Sequence, residues 1–175
     1  TMDEVAKHAG VAKGTLYLHV KTKAELMVLA IVEEKKQYMV AMKDVLARGI
    51  EPSERLRRYL IMLLTFSSEM PLIARLMSGD REVLAVMAEM PEEMNDQHEQ
   101  MKVAVLHKMV DEAAQPHSFT ATEIANRANV IFGLAFFSPV IADPRVRMGM
   151  SLESYAELLA NMLVDGLASP QGGDV

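Results

Sequence analysis

The sequence contains no cysteine and only seven prolines among its 175 residues. Without cysteine, disulfides and thiol chemistry are excluded, and a reducing compartment such as the cytoplasm is expected. Strand-type alternation of apolar and polar residues is nearly absent, whereas aliphatic residues and methionine are abundant. The composition therefore predicts an all-α fold, with most of the prolines at helix boundaries.

Long apolar runs and catalytic motifs are also lacking. The longest apolar run, residues 130–142, is interrupted by Gly133 and Pro139 and is too short to span a bilayer, and no signal peptide is recognised, so no membrane partner is expected. The sequence has no G-x-S-x-G, H-E-x-x-H or glycine-rich nucleotide loop, so we expect neither an enzyme nor a cofactor. His98 and His107 fall on opposite sides of one predicted helix, so no metal site is expected.

The first 23 residues, TMDEVAKHAGVAKGTLYLHVKTK, carry the most informative local pattern. Thr1 opens a capping box, and Gly10 ends the first short helix. A second short helix is predicted over residues 13–19, and Thr22 caps a third. One buried face of the first helix is predicted from the spacing of Met2, Val5, Ala6 and Ala9. This outline is that of a helix-turn-helix, whose second helix enters the DNA major groove.

The predicted outer face of the second helix is basic, aromatic and polar. Lys13 and Thr15 lie in its first turn, which is the part of a recognition helix that meets base edges. Lysine can donate to guanine, and the threonine methyl can contact the methyl of thymine. Other side chains can bond to phosphates. The predicted DNA-binding residues are Thr1, Lys13, Gly14, Thr15, Tyr17, Leu18, His19 and Lys23.

The string AGVAKGTLYLHVKTKAEL resembles the DNA-binding signature of the TetR family of bacterial transcriptional regulators. The matching residues are Thr1, Val5-Ala6, Ala9-Gly10-Val11, Leu16–Val20 and Lys23. The resemblance implies a repressor that binds a palindromic double-stranded DNA operator as a homodimer. Ala12 stands where the family commonly has serine, so we expect the second helix to lack its side-chain cap. The family also has a helix before the threonine, and we expect that first helix to be missing from this head.

The chain divides into a head and a larger body. Residues 1–23 are the predicted DNA-binding head, a helix over 22–48 links it to a ligand-binding and dimerisation domain over 49–169, and residues 170–175 are a predicted disordered tail. Further helices are predicted over 53–69, 72–77, 82–89, 91–114, 120–137 and 151–167. The net charge of −6 is uneven, because the head carries +2 and the remainder −8. A basic head is compatible with DNA binding, since affinity depends on the charge near the phosphates.

The last two long helices are predicted to be apolar on most of their sides. Such helices must be buried on most sides, and one small subunit can hardly cover both. A four-helix bundle between two subunits is therefore favoured over an intramolecular core, in agreement with the family resemblance. The predicted dimer-interface residues are Ile131, Phe132, Phe136, Tyr155, Leu159, Met162 and Leu163.

Fifteen methionines are many for a chain of this length. Methionine suits a surface that adapts to apolar ligands, although it also fills cores. The family resemblance implies a pocket for a small apolar or amphipathic effector in the middle of the chain. The predicted lining residues are Met62, Phe66, Met70, Met87, Met90, His98 and Met101. The alternative interpretation is a helical interaction or ligand-binding protein that does not bind DNA.

Overall fold

The computed structural model describes residues 1–89, 96–115 and 119–168, with only the backbone described for residues 96–103 and 168. All regular structure within these ranges is helical, so the predicted fold class is confirmed. The α-helices are α1 (Met2–His8), α2 (Lys13–His19), α3 (Lys23–Val45), α4 (Pro52–Thr65), α5 (Pro71–Met77), α6 (Arg81–Met87), α7 (Asp96–Ala113), α8 (Ala121–Gly133), α9 (Ser138–Ala142) and α10 (Leu152–Ala168). Short 3-10 helices occupy Phe66–Ser68 and Leu134–Phe137.

The head consists of α1 and α2, which pack together ahead of α3. Three apolar residues are buried around these helices: Ala6 on α1, Val20 directly after α2, and Ala24 at the start of α3. Gly10 adopts a left-handed φ of +68°, a conformation that glycine reaches at no steric cost, and this explains why α1 ends before it. The predicted turn between the two helices is therefore confirmed.

The predicted helix starts in the head are correct in most details. Thr1 forms the capping box of α1, and Ala12 makes no side-chain cap on α2. At α3, the Thr22 hydroxyl accepts a hydrogen bond from the Glu25 amide at 3.0 Å. The Glu25 carboxylate, however, accepts from the Lys21 amide rather than from Thr22, so the second capping box is not reciprocal.

Several predicted helices end early. The linking helix α3 ends at Val45 rather than at residue 48, and Gly49 follows with a φ of +83°. Helix α4 begins at Pro52, one residue before the predicted start, and the Glu51 carboxylate caps it by accepting from the Glu54 amide. It ends at Thr65, whose hydroxyl donates to the carbonyl of Ile61 at 2.9 Å, a bond that competes with continued helix formation. The chain then tightens into a 3-10 turn.

The helix predicted over residues 120–137 is broken in a similar way. Its capping box at Thr120 is confirmed, but α8 ends at Gly133 and continues as a 3-10 turn into the short α9. Residues Ala121–Ala142 are long and apolar enough to cross a membrane by length and composition, a test that core helices of soluble proteins also pass. The inner face of α8 contributes Ile124, Ala128 and Ile131 to the core of the chain.

Helix α4 lies at the centre of the main core and packs against α3, α7 and α10. Its residues Leu56, Leu60 and Leu64 are completely buried at the four-residue spacing of one helix face. The facing side of α10 is built from small residues, including Ala156 and Ala160, which let the two helices approach closely. The core therefore forms within one chain, while the division of the sequence at residue 49 stays a prediction.

Candidate nucleic-acid interface

Helix α2 presents most of the predicted DNA-binding residues on an outward face, and Tyr17 is half-buried. Its inner side is held by Val20, which is buried, and by the half-buried Leu16. The exposed residues include Gly14, Thr15 and His19, and Leu18 is 77% exposed. Two predicted residues lie outside α2, since Thr1 caps α1 and Lys23 begins α3. The seven residues of α2 thus place a short strip that contains Lys13, Thr15 and His19 at the surface. A helix that enters the DNA major groove needs such an exposed strip.

Lys13 is paired with a carboxylate that the sequence analysis did not single out. Its Nζ lies 2.7 Å from Oδ1 of Asp3 on α1, and 5.9 Å from the centre of the Tyr17 ring. The hydrogen bond to Asp3 and its negative charge raise the pKa of Lys13, so the ammonium group stays charged. A base or phosphate that contacts Lys13 either shares the ammonium group with Asp3 or displaces Asp3. The acidic first turn of α1 was visible in the sequence, but its distance from Lys13 was not.

Lys23 is also paired across the structure. Its Nζ lies 3.4 Å from Oε1 of Glu82 on α6, and the other oxygen of that carboxylate lies 3.4 Å from Arg75. A phosphate contact at Lys23 would therefore compete with Glu82. Lys21 has a different role, because its Nζ donates to the Tyr17 carbonyl at 2.9 Å and satisfies the end of α2.

The methionine-rich cluster predicted to bind an effector lies in the core of the larger domain. Phe66 and Met70 are buried there, and Met62 and Met87 are half-buried against it. Met90 lies outside the described residues, and so do the side chains of His98 and Met101. Two surface clefts found in the described ranges lie elsewhere, beside α1 and between α8 and α10.

Two tyrosines bring polar groups to this cluster, and the sequence analysis missed both. The ring of Tyr38 on α3 meets Phe66 edge to face, with centroids 6.3 Å apart. Burial raises the pKa of Tyr38 and of Tyr59, and the two hydroxyl groups interact with each other. Both hydroxyls are therefore neutral at physiological pH. Their place could not be read from the sequence because it depends on how α3 crosses α4.

The predicted dimer residues separate into an outer and an inner group. A groove of about 480 Å³ between α8 and α10 is lined by Phe119, Asn126, Arg127, Val130, Ile131, Met162, Leu163, Gly166 and Leu167. Met162 is 65% exposed and Phe136 is 53% exposed, while Phe132 and Leu163 are half-buried. Ile131 lines the groove but is only 4% exposed and belongs to the core, so its role in the interface stays a prediction.

Tyr155 and Leu159 also turn inward. Both pack against a second small core cluster formed by Leu64, Ile141 and Ala156. These contacts explain part of the apolar stripe on α10. Some of its residues pack against α4 within the same chain, and others line the groove. Among the residues that the structure describes, no group of three histidine, aspartate or glutamate side chains could hold a metal ion.

Comparison with known proteins gives a match at the beginning of the chain. Residues 1–30 match the model of a family described as bacterial regulatory proteins, tetR family. No curated protein and no solved structure matches the chain. The matched residues contain α1, α2 and the beginning of α3, which are the elements that build the polar strip around Lys13.

Proposed function

We propose that the chain is a TetR-family transcriptional regulator, because residues 1–30 match the model of that family, and that it binds a palindromic DNA operator as a homodimer and acts as a repressor in the cytoplasm. The observation that carries the proposal is the exposed strip of α2, with Lys13, Thr15 and His19, inside the segment that matches the family. Side chains of the first turn would meet base edges, and the flanking lysines would meet phosphates.

A second copy of the chain would cover the groove between α8 and α10. Val130 and Met162 line this groove and are 67% and 65% exposed, so a second copy seated in the groove would remove both apolar side chains from water. Pairing through the groove forms a bundle of four helices about a two-fold axis. Such an axis relates two copies of α2, and a spacing of about 34–36 Å would match one turn of DNA.

The effector would be a small apolar or amphipathic molecule that binds beside Phe66 and Met70. The half-buried methionines Met62 and Met87 can adjust to its shape, and the neighbouring Tyr38 hydroxyl offers a polar contact. Binding would tilt α3 and change the separation of the two heads. By linkage, an effector that weakens DNA binding must itself bind more weakly to the DNA complex.

Selection of duplexes from a random oligonucleotide pool, using the complete chain, tests the DNA-binding proposal. We expect an enriched palindromic duplex whose affinity falls as salt is raised. The Lys23→Ala variant should bind more weakly and should reduce the slope of log K against log salt by about one, because Lys23 is one of the flanking lysines that meet phosphates. Lys108→Ala removes an equal charge from α7 and should leave the slope unchanged. If the chain binds no duplex at low ionic strength, the proposal is wrong.

Compounds that raise the melting temperature of the protein identify candidate effectors, because a ligand specific to the folded state stabilises it. Each such compound is then added to the selected duplex complex. We expect at least one apolar compound to change duplex affinity. If stabilising compounds bind beside Phe66 and leave duplex affinity unaltered, the effector part of the proposal is wrong.

A further inference from the structure

Helix α3 is tied to the start of α5 by one carboxylate. Oε1 of Glu34 accepts a hydrogen bond from the Leu72 amide at 2.9 Å, and Oε2 accepts from the amides of Leu72 and Ile73 at 3.1 Å each. Met70, the N-cap residue of α5, makes no side-chain cap bond. Because the first amides of a helix lack partners within it, Glu34 supplies from 38 residues away the cap that α5 lacks.

The next turn of α3 touches the same segment again. Tyr38 follows Glu34 by four residues and therefore lies on the same face of the helix. Its ring meets Phe66 edge to face, and Phe66 belongs to the 3-10 turn that leads into α5. Helix α3 thus contacts residues 66–73 at two successive turns. Met70, which is buried, lies between the two contacts along the chain.

We propose that Glu34 is a positioning residue that sets the angle between α3 and residues 66–73, and through that angle the placement of the DNA-binding head. The inference rests on the proposed function, because it assumes that the head binds DNA. The contact between Glu34 and the start of α5 does not itself depend on DNA binding. The Glu34 carboxylate, together with the Tyr38–Phe66 contact, couples movement of the segment that contains Phe66 and Met70 to movement of α3.

The geometry of α3 makes this contact effective. Lys23 begins the helix eleven residues before Glu34, a distance of about 16 Å along the axis at 1.5 Å per residue. A tilt of about 10° at Glu34 therefore moves the head end by about 3 Å, which is the length of a hydrogen bond. A charge-assisted bond to backbone amides tolerates little displacement. A tilt of this size must therefore either move residues 66–73 and α3 together or break the hydrogen bonds of Glu34.

The experiment compares the affinity of each variant for the selected duplex with its affinity for a random duplex of equal length. We expect Glu34→Ala to lower the ratio of these affinities about tenfold, within the range typical of coupling between sites. Glu34→Gln should lower it less, because its amide oxygen still accepts a bond. Glu33→Gln is the matched control, since Glu33 is the neighbouring residue, is exposed, and pairs with Lys36 within α3.

The ratio separates positioning from stability. If Glu34 only stabilised the fold, its loss would reduce the amount of active protein and lower both affinities equally, so the ratio would not change. A wild-type chain that selects a duplex, together with a Glu34→Ala variant that keeps the ratio, overturns this inference alone. A wild-type chain that binds no duplex overturns the proposed function and this inference with it.

Discussion

Replacing Met162 by glutamate tests whether the groove between α8 and α10 joins two copies of the chain. Met162 lines the groove and is 65% exposed in the single chain. Leu163 would be a poorer probe, because it packs against the core and a charge there would also destabilise the fold. We expect Met162→Glu to keep the fold of the chain and to lose the dimer.

The expected size of the effect follows from the exposure. Complete burial of a methionine side chain contributes about 1.5–3 kcal/mol. Since Met162 is 65% exposed, its burial against a partner contributes about 1–2 kcal/mol, and a two-fold interface contains the residue twice. Losing about 2–4 kcal/mol of association free energy raises the dimer Kd roughly 30-fold to 1000-fold. Desolvation of the new carboxylates adds to this change.

Sedimentation velocity over a series of protein concentrations measures the dimer Kd, and circular dichroism checks the fold. Glu157→Lys is the control, because Glu157 is exposed on α10 five residues earlier, about 140° around the helix from Met162. The control should sediment as the wild-type chain does. If Met162→Glu forms dimers with the same Kd as the wild-type chain, the groove is not the interface. The reasoning from the exposure of Met162 is then refuted.

Three further predictions concern single side chains. Ala12→Ser should stabilise α2 by about 1 kcal/mol and slow its amide exchange, because residue 12 already has N-cap dihedrals, whereas Ala12→Val should give no gain. Asp3→Asn should raise duplex affinity about two- to fivefold, because it removes the ion-pair partner of Lys13. The control Glu4→Gln should raise duplex affinity less. If both variants raise it equally, only the net charge of the chain matters. Burial raises the pKa of Tyr38 above its ordinary 10.0, so the folded state holds this proton longer than the unfolded state, and stability falls as pH rises above about 10. Above this pH the melting temperature of the Tyr38→Phe variant should fall less steeply with pH than that of the wild-type chain. An identical fall in both proteins would contradict the assignment of this pH dependence to Tyr38.

Helix positions could be predicted where local chemistry decides them. The capping box at Thr120 and the left-handed Gly10 are set by residues a few positions apart, and both are confirmed. The end of α4 at Thr65 could not be predicted, because it depends on a hydroxyl that bonds to the preceding turn instead of to solvent. The short helix α9 was missed for a similar reason, since its proline-containing start follows a 3-10 turn.

The candidate interfaces were predictable only in part. Periodicity identifies α8 as apolar on most sides, but it does not tell which side meets its own chain. In the structure Ile131 turns into the core, while Val130, the preceding residue, is 67% exposed. One residue of difference corresponds to about 100° around a helix. A list of apolar positions therefore mixes the two surfaces until the packing partner is known.

The pairing of the two lysines changes the way DNA binding should be described. Lys13 is held by Asp3 and Lys23 by Glu82, so a duplex exchanges existing ion pairs for new ones. The exchange costs less at Lys23, because Glu82 keeps its contact with Arg75 when the lysine leaves. A duplex that contacts only one of these lysines leaves the other ion pair in place. Because surface pairs contribute little individually, this exchange does not prevent binding. Each lysine therefore contributes to duplex affinity separately, by the difference between its contact with DNA and its contact with Asp3 or Glu82.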